Sequence, residues 1–249
     1  RSIFVLAGMD HVKTQSELNE EEIASELEKT REMAEELSEI SKFVSSYWNY
    51  YLELEEAFKQ TQKYVAFDRH NDRTYSVEYL KLIQAVCSEI DVVAKEIAEH
   101  FSPNFSTIQR PNIAHWGYVI TNNMPQITKA RVFFTNGYVV KPWDKFGYTQ
   151  YPDKNGNVRY KLLPNCNTPS WWSDYNKMKH QRTSRSSDGE INFVKANLKN
   201  MVLSLAALFS LETLYMDIIT PEIGPDCNIE ENQLFGLTCS DSIEFIGDT

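Results

Sequence analysis

The sequence predicts a mainly α-helical fold, a helical bundle with an inserted β-hairpin region. Apolar residues recur at three- and four-residue steps in several segments, which is the spacing of a buried helix face. Between Pro103 and Thr168 this pattern gives way to short aromatic and β-branched runs broken by proline, glycine and asparagine, which favour strands and turns. With 249 residues, 42% of them hydrophobic, the chain can bury a full core. Because no linker-like tract separates the helical segments, we expect residues 1–249 to form a single helical domain.

An acidic segment near the N-terminus carries most of the net charge of -10. Residues 17–39 contain ten glutamates, one lysine and one arginine, which give a net charge of -8. Apolar residues at helical spacing predict an acidic helix with one narrow apolar stripe over residues 17–42 and just beyond. These apolar residues are Ile23, Leu27, Ala34, Leu37, Ile40 and Val44. Two interpretations stay open, a solvated helix lying on the bundle and a coiled-coil arm of a homodimer.

Two core helices are predicted after the acidic one. The first covers about residues 43–65 and is rich in tyrosine and phenylalanine. The second begins at Thr74 or Ser76, either of which can cap a helix, and runs to about Phe101. Pro103 then ends the pattern.

Charged residues interrupt the apolar pattern of the second core helix. Glu89 and Asp91 lie among its apolar positions. The simplest interpretation is that Asp91 forms an exposed pair with Lys95, one helical turn further on. We also expect Glu89 or Asp91 to lie close to one of the basic residues of a later helix. Those residues are Lys177, Lys179, His180 and Arg182.

Residues 103–168 are predicted to form the β-hairpin insertion. Its first hairpin has strands on either side of Asn136-Gly137, a pair typical of a type I′ turn. Its second hairpin turns at Asn155-Gly156-Asn157. The paired runs are Arg131–Phe134 with Tyr138–Val140, and Tyr148–Tyr151 with Val158–Leu163.

Two further helices are predicted after the insertion. Thr168-Pro169 supplies a cap and a first-turn proline for the first of them. Ser187–Glu190 has capping-box spacing before a long apolar helix over about residues 191–219. Residues 224–249 are predicted to be an irregular tail with one edge strand at Leu234–Thr238.

The helix after Pro169 contains the most informative motif. Asn176 and His180 are four residues apart and share one helix face, within the only compact basic cluster of an acidic chain. The cations of that cluster are Lys177, Lys179, Arg182 and Arg185. A histidine among cations and aromatic side chains can serve RNA cleavage, because the 2′-hydroxyl needs a proton acceptor and the charge at phosphorus needs cationic donors. The alternative is that these cations neutralise Glu89 and Asp91 and hold the bundle together.

The string Tyr175-Asn176-x-x-x-His180, followed by a capped apolar helix, resembles the motif of the HEPN superfamily of small helical domains. Many HEPN proteins are metal-independent RNases of toxin–antitoxin, abortive-infection and CRISPR systems. By this resemblance Asn176 matches the family's polar position and His180 its histidine, whereas Tyr175 stands where the family has an arginine. Arg182 or Lys179 would then have to supply the cation. The strings Ser88–Asp91 and Tyr175–Arg182 also resemble segments of uncharacterised bacterial proteins.

Three functions follow as hypotheses. The first is a HEPN-like RNase, with His180 as general acid or base, Asn176 orienting it or the phosphate, and Lys179 and Arg182 stabilising charge. The second, which we rank first, is a non-catalytic HEPN-like module that binds a nucleotide, RNA or a protein through the same polar groove. The third is an interaction protein that uses its acidic helix. Expected partners are therefore RNA or a nucleotide, a protein partner, or a second copy of the chain.

Other classes lack a starting motif. The sequence has no G-x-S-x-G, no glycine-rich phosphate loop and no H-E-x-x-H, so we expect no metal and no cofactor. The four cysteines form no C-x-x-C pair, which fits a reducing cytoplasm. The most apolar run, Met201–Leu211, is shorter than the ~20 residues of a membrane span, so we expect no membrane partner.

Overall fold

The computed structural model describes residues 20–134, 138–186, 189–220 and 234–239. The fold is mainly helical with small antiparallel sheets, as predicted. The helices are α1 (Glu20–Phe43), α2 (Asn49–Thr61), α3 (Val77–Phe101), α4 (Ile113–Asn123), α5 (Ser170–Gln181) and α6 (Leu198–Ile219). The strands are β1 (Arg131–Phe134), β2 (Val139–Val140), β3 (Tyr148–Pro152), β4 (Val158–Leu162) and β5 (Phe235–Thr238).

Helix α6 forms the centre of the bundle, with α3 packed along it. Seventeen of its 22 residues are buried, because apolar residues lie on every side of the helix and not on one stripe. By length and composition α6 could also cross a membrane, but 78% of its most apolar window is buried inside the fold. That degree of burial is typical of a core helix.

Helices α1 and α2 are continuous through one π-helical turn, Val44–Trp48. This wide turn places Trp48 in the core, where it stacks on Tyr51 with ring centroids 4.9 Å apart. The predicted second helix of residues 43–65 therefore corresponds to this turn and α2, which ends earlier, at Thr61.

Three predicted helix starts have different outcomes. Ser76 caps α3 as predicted, accepting a hydrogen bond from the Tyr79 amide over 3.0 Å. The predicted Thr168 cap of α5 is wrong, because the Thr168 hydroxyl hydrogen-bonds the Tyr148 hydroxyl and the N-cap is Pro169.

Helix α6 starts at Leu198, capped by Asn197, later than predicted. The predicted capping box includes residues 187 and 188, which lie outside the described ranges.

Residues 103–168 are not only β structure, because they include α4. Asn112 caps it in a reciprocal capping box with His115, and Trp116 is fully buried on its inner face. The sequence Ile113–Asn123 is rich in aromatic and β-branched residues, so its composition favours strand. Capping and burial against the core outweigh that preference.

Both predicted hairpins form antiparallel pairs. Strand β1 pairs with β2, and β3 pairs with β4. The expected turn at Asn136-Gly137 lies outside the described residues. The strand predicted in the tail is confirmed as β5, which pairs with the other edge of β1 to give the order β2-β1-β5. The rest of the predicted irregular tail lies outside the described ranges.

Candidate functional site

A groove of about 520 Å³ lies between α3, the beginning of α4 and the inner part of α5. Its volume is within the range of small-ligand sites. Helix α3 contributes three residues, α4 and the two residues before it contribute four, and α5 contributes four. The lining residues are Ser88, Asp91, Val92, Pro111, Asn112, Ile113, Ala114, Trp172, Tyr175, Asn176 and Lys179.

The α5 wall of the groove combines aromatic and polar side chains. Trp172, Tyr175, Asn176 and Lys179 occupy positions i, i+3, i+4 and i+7, so they lie along one face of the helix. The Trp172 and Tyr175 rings are packed 5.5 Å apart and are mostly buried. This wall therefore offers an apolar surface with a polar edge.

Lys179 and Asn176 form that polar edge. The Lys179 ammonium lies 5.4 Å from the centre of the Tyr175 ring, an approach typical of a cation–π contact. No carboxylate of the described residues lies within ion-pairing distance of this ammonium. Asn176 donates its amide hydrogen to the Trp172 carbonyl over 3.0 Å, which fixes the side chain against the helix.

Asp91 forms the opposite wall and already has partners. It accepts a hydrogen bond from the Trp116 indole over 3.1 Å and is ion-paired with Lys95 at 2.5 Å. The predicted pair of Asp91 with Lys95 is therefore present, but it is partly buried and not exposed, since each side chain is only about one-third accessible. Asp91 and Lys179 line the same groove, but the described residues show no ion pair between them.

Glu89 lies on a different side of α3. It is half-buried, and this burial raises the pKa of its carboxyl group. Its carboxylate contributes to the raised pKa of Tyr47, in the π-helical turn, and of Glu212, on α6. Glu89 is thus outside the groove.

Three further predicted site residues are also absent from the groove lining. His180 and Arg182 are exposed, and within the described ranges neither side chain makes a hydrogen bond or an ion pair. Lys177 is exposed and pairs with Asp174 of its own helix at 3.4 Å. The structure therefore brings together Asp91, Tyr175, Asn176 and Lys179. It leaves Glu89, Lys177, His180 and Arg182 at the surface or on other faces.

The beginning of α4 is the part of the groove that the sequence prediction missed. Asn112 accepts a hydrogen bond from the Ala114 amide, so one end of a helix, with its partial positive charge, faces the groove. The residue before lining Pro111 is Arg110, an exposed cation in the left-handed backbone region with φ of 54°. The spacing of Asn112 and His115, three residues apart, is that of a capping box and could have revealed this helix in the sequence.

The chemistry available in the groove is recognition of a ligand with a planar apolar part and an anionic part. The described residues contain no group of three or more His, Cys, Asp or Glu side chains placed to hold a metal ion.

Comparison of the chain with family models, with curated proteins and with solved structures finds no match in any of the three.

Proposed function

We propose that this groove binds a nucleotide unit, free or as part of single-stranded RNA, and that the chain is a HEPN-like binding module without catalytic activity. The observation that carries the proposal is the position of the Lys179 ammonium above the Tyr175 ring, in a groove that Asn176 also lines. A nucleotide pairs a planar base with a phosphate, and aromatic rings, amides and cations are the groups that recognise those two parts.

The HEPN resemblance supports the same assignment of roles. Tyr175 stands at the position of the family's arginine and is buried beside Trp172. Because the Lys179 ammonium lies over its ring, a cation is present close to that position although tyrosine itself supplies none. Lys179 and the N-terminal end of α4 would then hold the phosphate.

Binding is favoured over cleavage because His180 lacks a supporting arrangement. A general base needs a partner that orients its ring and a place within hydrogen-bonding reach of the reacting hydroxyl. In the described part of the chain no group orients the His180 ring, and the ring does not line the groove. RNA cleavage stays the alternative, since His180 is exposed one helical turn after Asn176.

Calorimetric titration of the whole chain with adenosine 5′-monophosphate, and anisotropy with a labelled single-stranded RNA of about ten nucleotides, test the proposal. Lys179→Gln is expected to weaken binding by about 10- to 100-fold, since a hydrogen bond to a charged group contributes roughly 1.5–3 kcal/mol. Lys177→Gln is the matched control, because it removes the same charge from the same helix outside the groove. Equal effects of the two variants, or no binding by the wild type, would refute the proposal.

A further inference from the structure

The first five or so turns of α1 lie outside the bundle. Every described side chain from Ala24 to Glu39 is exposed, whereas Ile40 and Phe43 are buried in the core. Contacts at the other end hold the helix in place, since Glu39 pairs with the His100 ring at 2.9 Å. Helix α1 is therefore attached by its C-terminal turns and presents the rest of its length to solvent.

The exposed part of α1 has an apolar face that no other element of the described residues covers. Leu27, Met33 and Leu37 are 65%, 58% and 44% exposed. Ala34 follows Leu27 by two helical turns, and Leu37 lies one turn after Met33 and Ala34, so these residues share one broad side of the helix. At 1.5 Å per residue, this strip is about 15 Å long. Exposed leucine and methionine at regular helical spacing indicate a surface for binding another apolar element.

The charge around this strip is strongly negative. Residues 17–39 carry the net charge of -8 described above. Among the described residues, the carboxylates of Glu26, Glu28 and Glu32 have no ion-pair partner, and Arg31 is already paired with Glu35 at 3.0 Å. Glu26 directly precedes Leu27, so unpaired negative charge lies beside the apolar strip.

We propose that α1 docks a basic amphipathic helix of a partner protein. Apolar side chains of such a helix would cover Leu27, Met33 and Leu37, and its lysines and arginines would meet the surrounding carboxylates. This surface is separate from the groove, so the proposal does not depend on nucleotide binding.

Two other occupants fit the observations less well. A second copy would bring two acidic segments, each of charge -8, together, and their repulsion opposes that pairing. An anionic lipid surface would repel the same charge. A basic partner is attracted by the charge and can add contacts beyond the strip.

Anisotropy titration of the whole chain with labelled synthetic helices tests this proposal. The probe is a helix of about 20 residues with leucine at heptad positions a and d and lysine at e and g. One comparison peptide has the same composition in scrambled order, and another has glutamate in place of lysine. We expect the ordered lysine peptide to bind at least about tenfold more tightly than either comparison peptide, with an affinity that falls as salt rises.

Variants of the chain separate apolar docking from attraction by charge alone. The double variant Leu27→Gln, Leu37→Gln keeps helix-forming residues and the net charge, and it is expected to weaken binding at least about tenfold. Val77→Gln, at an exposed position of α3, is the matched control and is expected to bind like the wild type. The pair Glu28→Gln, Glu32→Gln is expected to reduce the salt dependence.

Three results would overturn the proposal. Equal binding of the scrambled peptide, or wild-type affinity in the leucine variant, would show attraction by charge without docking. Self-association of the wild type in sedimentation experiments, lost in the leucine variant, would identify a second copy as the occupant.

Discussion

Trp116 on α4 donates its indole hydrogen to Asp91 on α3 over 3.1 Å, and this bond joins the two helices through residues 25 positions apart in sequence. The Trp116 side chain is fully buried. Asp91 therefore fixes the beginning of α4 against α3, and by doing so it shapes one wall of the groove. Its charge is balanced by Lys95 and not by the cations of α5.

Asp91→Ala is expected to destabilise the fold by about 1–3 kcal/mol, because the buried Trp116 indole loses its acceptor. Asp91→Asn keeps an acceptor oxygen at the same place and should cost less. Lys95→Gln should cost under about 1 kcal/mol, since both members of that pair are about one-third exposed. Urea denaturation of the three variants measures these differences. A cost for Lys95→Gln equal to that of Asp91→Ala would contradict the assigned role of Trp116.

His180→Ala is expected to change neither stability nor RNA integrity. The ring is exposed and makes no hydrogen bond with any other described residue, so its removal should alter the free energy of unfolding by less than about 0.5 kcal/mol. Thermal melts and incubation with single-stranded RNA in the presence of EDTA check both parts. Metal-independent cleavage by the wild type that is abolished in His180→Ala would instead establish the RNase alternative.

Local signals predicted much of the helical framework. Ser76 lies before a regular apolar pattern that continues to Phe101, and both the cap and the far end of α3 occur where predicted. The hairpin pairings were also predictable, because alternating β-branched and aromatic residues flank turn-forming residues. Such signals depend on neighbours within a few positions, so they can be detected without knowledge of the fold.

The groove was harder to predict because α4 forms against its own composition. Pro111–Ala114 come from a segment expected to be β structure, and nothing near Asp91 in sequence indicates Trp116 as its partner. The helical spacing of α5 placed Asn176 and His180 on one face. It could not show that Asn176 and Lys179 lie on the groove side while His180 does not, since that depends on which neighbours cover the helix.

Gly117→Ala is expected to destabilise the chain by about 1–3 kcal/mol through overpacking. A Cβ atom at Gly117 would lie 2.6 Å from Phe146 Cζ and 3.1 Å from Tyr148 Cδ2, so α4 or these rings must shift. Gly236→Ala is the control, because a Cβ there meets no heavy atom within 4 Å. Equal thermal stability of the two variants would show that the Phe146 ring moves aside without cost.

Glu212 on α6 is fully buried, and neither of its carboxyl oxygens has a hydrogen-bond partner among the described residues. Burial raises the pKa of Glu212 well above its usual range, and the nearby Glu89 carboxylate adds to the rise. The folded protein therefore holds a proton at Glu212 that the unfolded chain releases above about pH 4.3. Between the unfolded-state and folded-state pKa values of Glu212, the folded protein binds more protons than the unfolded chain. The contribution of Glu212 to the free energy of unfolding is therefore greatest below about pH 4.3 and is lost as the pH rises towards the folded-state pKa.

Glu212→Gln is expected to remove the loss of stability with rising pH, because the neutral amide has nearly the same shape as the carboxyl group and no proton to release. The variant should be more stable than the wild type at pH 7 by on the order of 1 kcal/mol or more, and its stability should depend less on pH. Urea denaturation of both proteins from pH 4 to pH 8 measures the difference, with the exposed Glu53→Gln as control. A variant less stable than the wild type at pH 7, with an unchanged pH dependence, would mean that Glu212 is ionised in the fold and stabilised by a positively charged partner.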